Sequence, residues 1–175
     1  MTTLYVDNIA PNLQSRVSVP GHVIQVLSNT ITGPQNFSVN ADTESGTIFS
    51  QAITPTSTSS KILIIANVQI SCETPKGYLI LNRDGTDIAI GDAASTRKRV
   101  TSHFYSDPDR TDVSQTTMVH FLDSPSSTTE ITYSITARHG SSVATTIYVN
   151  RNEDDTDEYK RGRMVSTITL MEIAG

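Results

Sequence analysis

Apolar and polar positions alternate along this chain in short runs, and one run stands apart from the rest. Lys61-Ile62-Leu63-Ile64-Ile65-Ala66-Asn67-Val68-Gln69-Ile70 contains five consecutive apolar residues, is rich in β-branched isoleucine and follows the turn-forming cluster Thr54-Pro55-Thr56-Ser57-Thr58-Ser59-Ser60. β-branching is poorly used in a helix, so the run predicts a central strand buried on both faces. Ile131, Tyr133, Ile135 and Ala137 alternate with Thr132, Ser134, Thr136 and Arg138, the period of a strand with one buried face. Gly77 to Arg83 and Ile88 to Gly91 flank Asp84-Gly85, a dipeptide suited to the positive backbone angles of a tight hairpin turn. Further strands are expected over residues 22–28, 37–39, 47–53, 100–105, 116–122, 143–149 and 164–173, with Gly, Pro, Asn, Asp and Ser between them. No segment sustains a helical period. The pattern predicts an all-β fold, a jelly-roll-like antiparallel β-sandwich over residues 19–175, preceded by an extended N-terminal arm over residues 1–18.

Within that arm Leu4, Val6, Ile9 and Leu13 are scattered among Asn8, Pro11 and Asn12, too sparse to fold alone and suited to packing on another subunit. At the other end, residues 164–173 are apolar at both parities. One face fits the core; Val165, Met171 and Ile173 on the other are more than a solvent face needs and mark a subunit contact.

Composition narrows the function more than it identifies it. The 175 residues suit one domain with enough interior to stand without covalent staples. About a quarter are Ser or Thr and none is Trp, so the core is thin and aliphatic. A net charge of -5 disfavours a nucleic-acid partner, which needs a dense Lys/Arg surface. Cys72 is alone, so no intrachain disulfide is available. The chain has neither an apolar stretch long enough to span a membrane nor a signal-like N-terminus, and no membrane partner or secretory route is expected.

Candidate chemistry is sparse. Glu153-Asp154-Asp155-Thr156-Asp157-Glu158 concentrates hard oxygen ligands without the spacing of a calcium loop, and Arg161 and Arg163 are placed to neutralise it. His22, His103, His120 and His139 lie far apart without metal or base spacing, and His139-Gly140 reads as a turn. Asp84 is explained by the turn and Asp87 by exposure. No nucleophile elbow, phosphate loop or dinucleotide fingerprint occurs, so neither catalysis nor a cofactor or bound metal is expected. The remaining ligand candidates are the basic triplet Arg97-Lys98-Arg99, suited to an anionic surface or to pairing with the acidic loop, and the aromatics Tyr105 and Tyr159, which lie beside polar loops where a sugar ring can stack.

Three stretches carry a more specific likeness: Ser18-Val19-Pro20-Gly21-His22-Val23-Ile24-Gln25-Val26; Ile53-Thr54-Pro55 through Lys61-Ile62-Leu63; and Tyr148-Val149-Asn150-Arg151 with Ser166-Thr167-Ile168-Thr169-Leu170-Met171-Glu172-Ile173. With them the chain resembles the small virion structural, tail-fibre-like proteins of marine tailed phages, including cyanophages. That resemblance implies a non-enzymatic module exposed on the tail or capsid of a virion and assembled in the host cytoplasm. It also implies a homotrimer that contacts other virion proteins. A tail-fibre or receptor-binding module facing a host surface glycan is the first expectation, a head decoration protein the second and a lectin-like carbohydrate-binding module the third.

If residues 1–18 serve attachment, deleting them leaves the melting temperature of the isolated protein nearly unchanged and abolishes incorporation into particles. A large drop in melting temperature places the arm in the core instead.

Overall fold

Turn residues and β-branched runs divide the chain into strands at nearly the expected places. The computed structural model describes residues 19–107 and 109–175; among these there are eleven strands and no helix. They are β1 (Val23–Ile31), β2 (Gln35–Val39), β3 (Phe49–Ile53), β4 (Lys61–Cys72), β5 (Lys76–Arg83), β6 (Thr86–Ile88), β7 (Ser102–Tyr105), β8 (Gln115–Asp123), β9 (Ile131–His139), β10 (Thr145–Val149) and β11 (Ser166–Ile173). The expected hairpin joins β5 and β6, with Asp84 and Gly85 at φ 49° and 79°, both in the left-handed region that a type I′ turn requires. The arm, with Leu4, Val6, Ile9 and Leu13, lies outside the described residues.

The pairing is nested. β1 pairs with β11, β2 with β10, β3 with β9, β4 with β8, and β5 with both β7 and β6, every pair antiparallel. The chain is therefore one long antiparallel ribbon, bent so that its pairs are divided between two sheets. One sheet runs β1-β11-β4-β8, with β10 and β2 continuing beside the far end of β4, and the other runs β3-β9-β5 with β6 and β7 in tandem on the far edge of β5. This is the wrapped connectivity of a jelly roll.

Two strands change partner partway along an edge, and a side chain fills each gap. β11 leaves β4 at Asn67 and β10 joins it at Ile70. Between them the Gln69 amide donates to Ser166 Oγ at 2.9 Å and the Gln69 carbonyl accepts from the Asn150 amide at 2.9 Å. Asn150 is fully buried at φ 61°, and its side chain accepts from Ser166 Oγ and donates to the carbonyls of Ile31 and Gly33. On β5 the handover from β7 to β6 is bridged by Thr101, whose hydroxyl accepts the Leu81 amide at 2.9 Å. Both devices meet the requirement that buried backbone groups be paired.

The core lies between the sheets. Ile62, Ile64, Ala66, Val68 and Ile70 of β4 face Leu79 and Leu81 of β5 and Tyr133, Ile135 and Ala137 of β9, and all are fully buried. The opposite parity of β4 is different: Leu63 and Ile65 are only half-buried, which corrects the expectation of a strand buried on both faces. β4 is central, but among the described residues only one side of its sheet is covered. Gly77 has a steric reason, because a Cβ there would fall 1.9 Å from Phe104 Cζ; the ring lies directly over the glycine.

Two carboxylates are built into the sandwich. Glu172 takes an inward position on β11 and is fully buried, with Oε1 accepting from the Thr56 amide, Thr56 Oγ1 and Ser60 Oγ at 2.7 Å each and Oε2 from Gln25 Nε2 at 2.6 Å. Burial pushes its carboxyl up, but the hydrogen bonds from Ser60, Thr56 and Gln25 outweigh that and hold it below the ordinary 4.5. Asp123, at the end of β8, accepts both oxygens' bonds from Arg83 at 2.8 and 3.0 Å and the Tyr133 hydroxyl at 2.6 Å, joining one sheet to the other. Burial, then the Asp123 bond, push the Tyr133 phenol well above its usual range. His139 corrects the turn reading: it is buried at the end of β9, with Nε2 3.0 Å from the carbonyls of both Val39 and Asn40 and Nδ1 accepting the Ser141 amide.

Because the folded-state pKa of Glu172 is depressed, its contribution to stability is complete above about pH 4.5 and is lost as pH falls through the folded value. Chemical denaturation should therefore show Glu172→Gln less stable by about 1–3 kcal/mol at pH 7 and with a shallower loss of stability on acidification than the parent. An acid limb identical in the two proteins would count against this role.

Candidate functional site

Strand register places side chains on the outer face of the β1-β11-β4-β8 sheet in rows. Val26, Met171, Leu63 and Leu122 form one unbroken row across the four strands, through the pairs Val26 with Met171, Met171 with Leu63 and Leu63 with Leu122. Ile173, paired with Val23, lies at one side of it, and Ser28, Thr169, Ile65 and His120 form the next row on the other. Val26 is 53% exposed, Leu122 48% and, one row further, Met118 52%. Polar positions on this face are mostly neutral and satisfy each other: Ser28 with Thr169 at 3.1 Å, and Gln69 with Thr116 at 2.8 Å. No outward position of β1, β4, β8 or β11 carries Asp or Glu, and Lys61 and His120 are its ionisable groups, although the whole chain has 18 acidic residues. Loss of charge around an apolar centre distinguishes the core of a protein interface from ordinary surface.

Of the expected contact residues, the structure brings Met171 and Ile173 into this patch. Val165 is exposed on the same side but sits at the other end of the strand, beyond Thr167 and Thr169. Val26, Leu63, Ile65, Met118 and Leu122 complete the patch. The run Ile62 to Ile65, apolar on both faces, is the signal the sequence offers for Leu63 and Ile65, whereas Val26, Met118 and Leu122 become their neighbours only through cross-strand register.

The other sheet is covered differently. Segment 40–46 reaches over it, with Glu44 accepting from Thr136 Oγ1 at 2.7 Å and from Arg138, while Arg138 also meets Asp87 at 3.3 Å. Asp87 is thus an ion-pair partner rather than a free surface group. The basic triplet lies in the connection between β6 and β7 and does not converge. Lys98 pairs with Asp42 rather than with the acidic loop, Arg99 Nε donates to the Gly91 carbonyl at 2.7 Å, and Arg97 is exposed. Tyr105 is 50% exposed on β7, and Tyr159 is fully exposed in the connection between β10 and β11.

That β10–β11 connection holds the acidic cluster, which arginines neutralise as expected. Arg161 pairs with Asp154, Arg163 with Asp155, and Arg151 lies 3.7 Å from Asp155. The Asp154 and Asp155 carboxyls lie below their ordinary range, the first chiefly through the Thr156 amide and the second through Arg163. Arg151 also stacks 4.8 Å from the centre of the Tyr148 ring. The Tyr148 phenol is pushed up to about 12 by burial and by its 2.7 Å bond to Glu73.

No protein-family model matches the chain, and no curated protein does. Among solved structures, a chain from the structure of infectious bursal disease virus Gx strain aligns with 97% of this chain and 43% of its own length, at 14% identity and a TM-score of 0.40. This chain therefore spans less than half the length of that one.

Proposed function

We propose that this protein is a non-enzymatic structural component of a virus particle, a tail-fibre or receptor-binding type module exposed on the particle surface and assembled as a homotrimer through the outer face of its β1-β11-β4-β8 sheet. The observation that carries the reading is the apolar, carboxylate-free row Val26, Met171, Leu63 and Leu122, which none of the other described residues covers. Covering on the order of 400 Å² of apolar surface per subunit is worth about 10 kcal/mol before association costs. Identical chains presenting identical patches satisfy them in closed cyclic symmetry. The choice of three, and of a tailed-phage virion, comes from the sequence resemblance. The wrapped β-sandwich agrees with it, since jelly rolls serve in viral capsid and lectin domains, although fold by itself does not assign function.

Light scattering at micromolar concentration is expected to give three times the chain mass for the parent, and the chain mass for Leu63→Glu and Met171→Glu with strand content by circular dichroism retained, because both side chains point away from the core; their melting temperature falls as the assembly is lost. A monomeric parent would overturn the assembly. Reconstruction of the particle is expected to show this chain on its exterior, and absence from purified particles would overturn the virion reading.

A further inference from the structure

The sheet opposite the assembly face has an open corner where β5, β7 and β9 meet. Gly77 and Phe104 are paired and face inward, so the flanking pairs Lys76–Tyr105 and Tyr78–His103 both face outward. The rings of Tyr78 and His103 lie with centroids 5.6 Å apart at 44°. Beside them is a cavity of about 370 Å³ lined by Thr74, Pro75, Lys76, Gly140, Ser141 and Ser142, three hydroxyl residues and one lysine among them. Gly140 keeps it open: a Cβ there would come within 3.0 Å of Lys76 Cβ and 3.2 Å of the Tyr78 hydroxyl. Arg138, the neighbour of Tyr78 across the β5–β9 ladder, is committed to Glu44 and Asp87, whereas Lys76 has no ion pair among the described residues.

These groups select a ligand class. The lining holds no carboxylate, which disfavours a divalent cation. One lysine on a chain of net charge -5 is too little for a nucleic-acid backbone. Three hydroxyl residues and a lysine among the six lining residues favour an amphipathic ligand over a wholly apolar one. Exposed aromatic rings beside hydroxyls and a single cation fit a sugar ring that rests its C–H face on an aromatic ring, shares hydroxyl hydrogen bonds and places an acidic substituent on Lys76. We propose that this corner is a binding site for an acidic oligosaccharide, bearing uronate or sulfate groups, with Tyr105 and His103 as the stacking platform and Lys76 as the anion contact. The site rests on the receptor-binding reading above and gives it a ligand class. It also lies on the sheet that remains exposed when copies associate through the opposite one.

The test is an array of uronate-bearing, sulfated and neutral oligosaccharides probed with the full chain, followed by titration of the tightest glycan. At least one acidic glycan is expected to bind, with its neutral counterpart on the order of tenfold weaker or worse. Tyr105→Ala, Lys76→Gln and the cavity-filling Gly140→Val are each expected to lose on the order of tenfold in affinity, with the scattering mass of the parent retained in all three and its melting temperature in the first two. Binding of neutral glycans alone, full affinity in all three variants, or no acidic glycan bound anywhere on the array overturns the site. A monomeric parent that still binds through Lys76 and Tyr105 overturns the trimer and leaves the site standing, so the two readings fail separately.

Discussion

Pairing along both edges of β4 is the constraint on which the sandwich depends. β8 runs the length of one edge, and β11 and β10 share the other in sequence. A strand so placed can leave none of its backbone groups unpaired without a cost of about 1–3 kcal/mol each, and the handover between β11 and β10 is where that risk concentrates. Asn150 and Ser166 remove it by giving Gln69 side-chain and main-chain partners in place of a strand. The positive φ at Asn150, costly for most residues, is held by five hydrogen-bonding neighbours: Gln69, Ser166, Ile31, Gly33 and Met164.

Strands were readable in the sequence because local chemistry specifies them: isoleucine runs, alternation in residues 131–138, and Asp84-Gly85 at the turn. β1 was read short because Asn29 and Thr30 look like the start of a loop, whereas Asn29 points in and donates to the Ser50 carbonyl at 2.9 Å, tying β1 to the edge of the other sheet. His139 was misread for a similar reason. A His-Gly pair reads as a turn unless the partners that bury it, the carbonyls of Val39 and Asn40 about 100 residues away, are known. Glu172 resembles an outward residue by type and is inward by parity. Its four donors come from β1 and from the Ser/Thr cluster before β4, which sequence reading took only as a boundary.

The two candidate surfaces differ in legibility by the same logic. Met171 and Ile173 could be named because a single strand with both parities apolar is anomalous on its own. Val26 and Leu122 are each unremarkable and become a patch only through register. Arg97, Lys98 and Arg99 were conspicuous as a charge cluster, yet the fold disperses them to different partners, while Lys76, with no charged neighbour in sequence, stands among open rings and hydroxyls.

The nested ribbon also sets the order in which the fold can be completed. Its tip, β5 with β6, closes through a two-residue turn, but each outer pair joins segments progressively further apart, ending with β1 against β11. Folding rates fall as contacts become more distant in sequence, so this topology folds slowly, inward contacts first. During synthesis the edge of β4 that β11 will occupy stays vacant until β11 emerges. The apolar row on the outer face includes Met171 of that strand, so the row is incomplete until β11 is in place. Until β11 pairs there, the unpaired N–H and C=O groups along that edge are open to a strand of another chain.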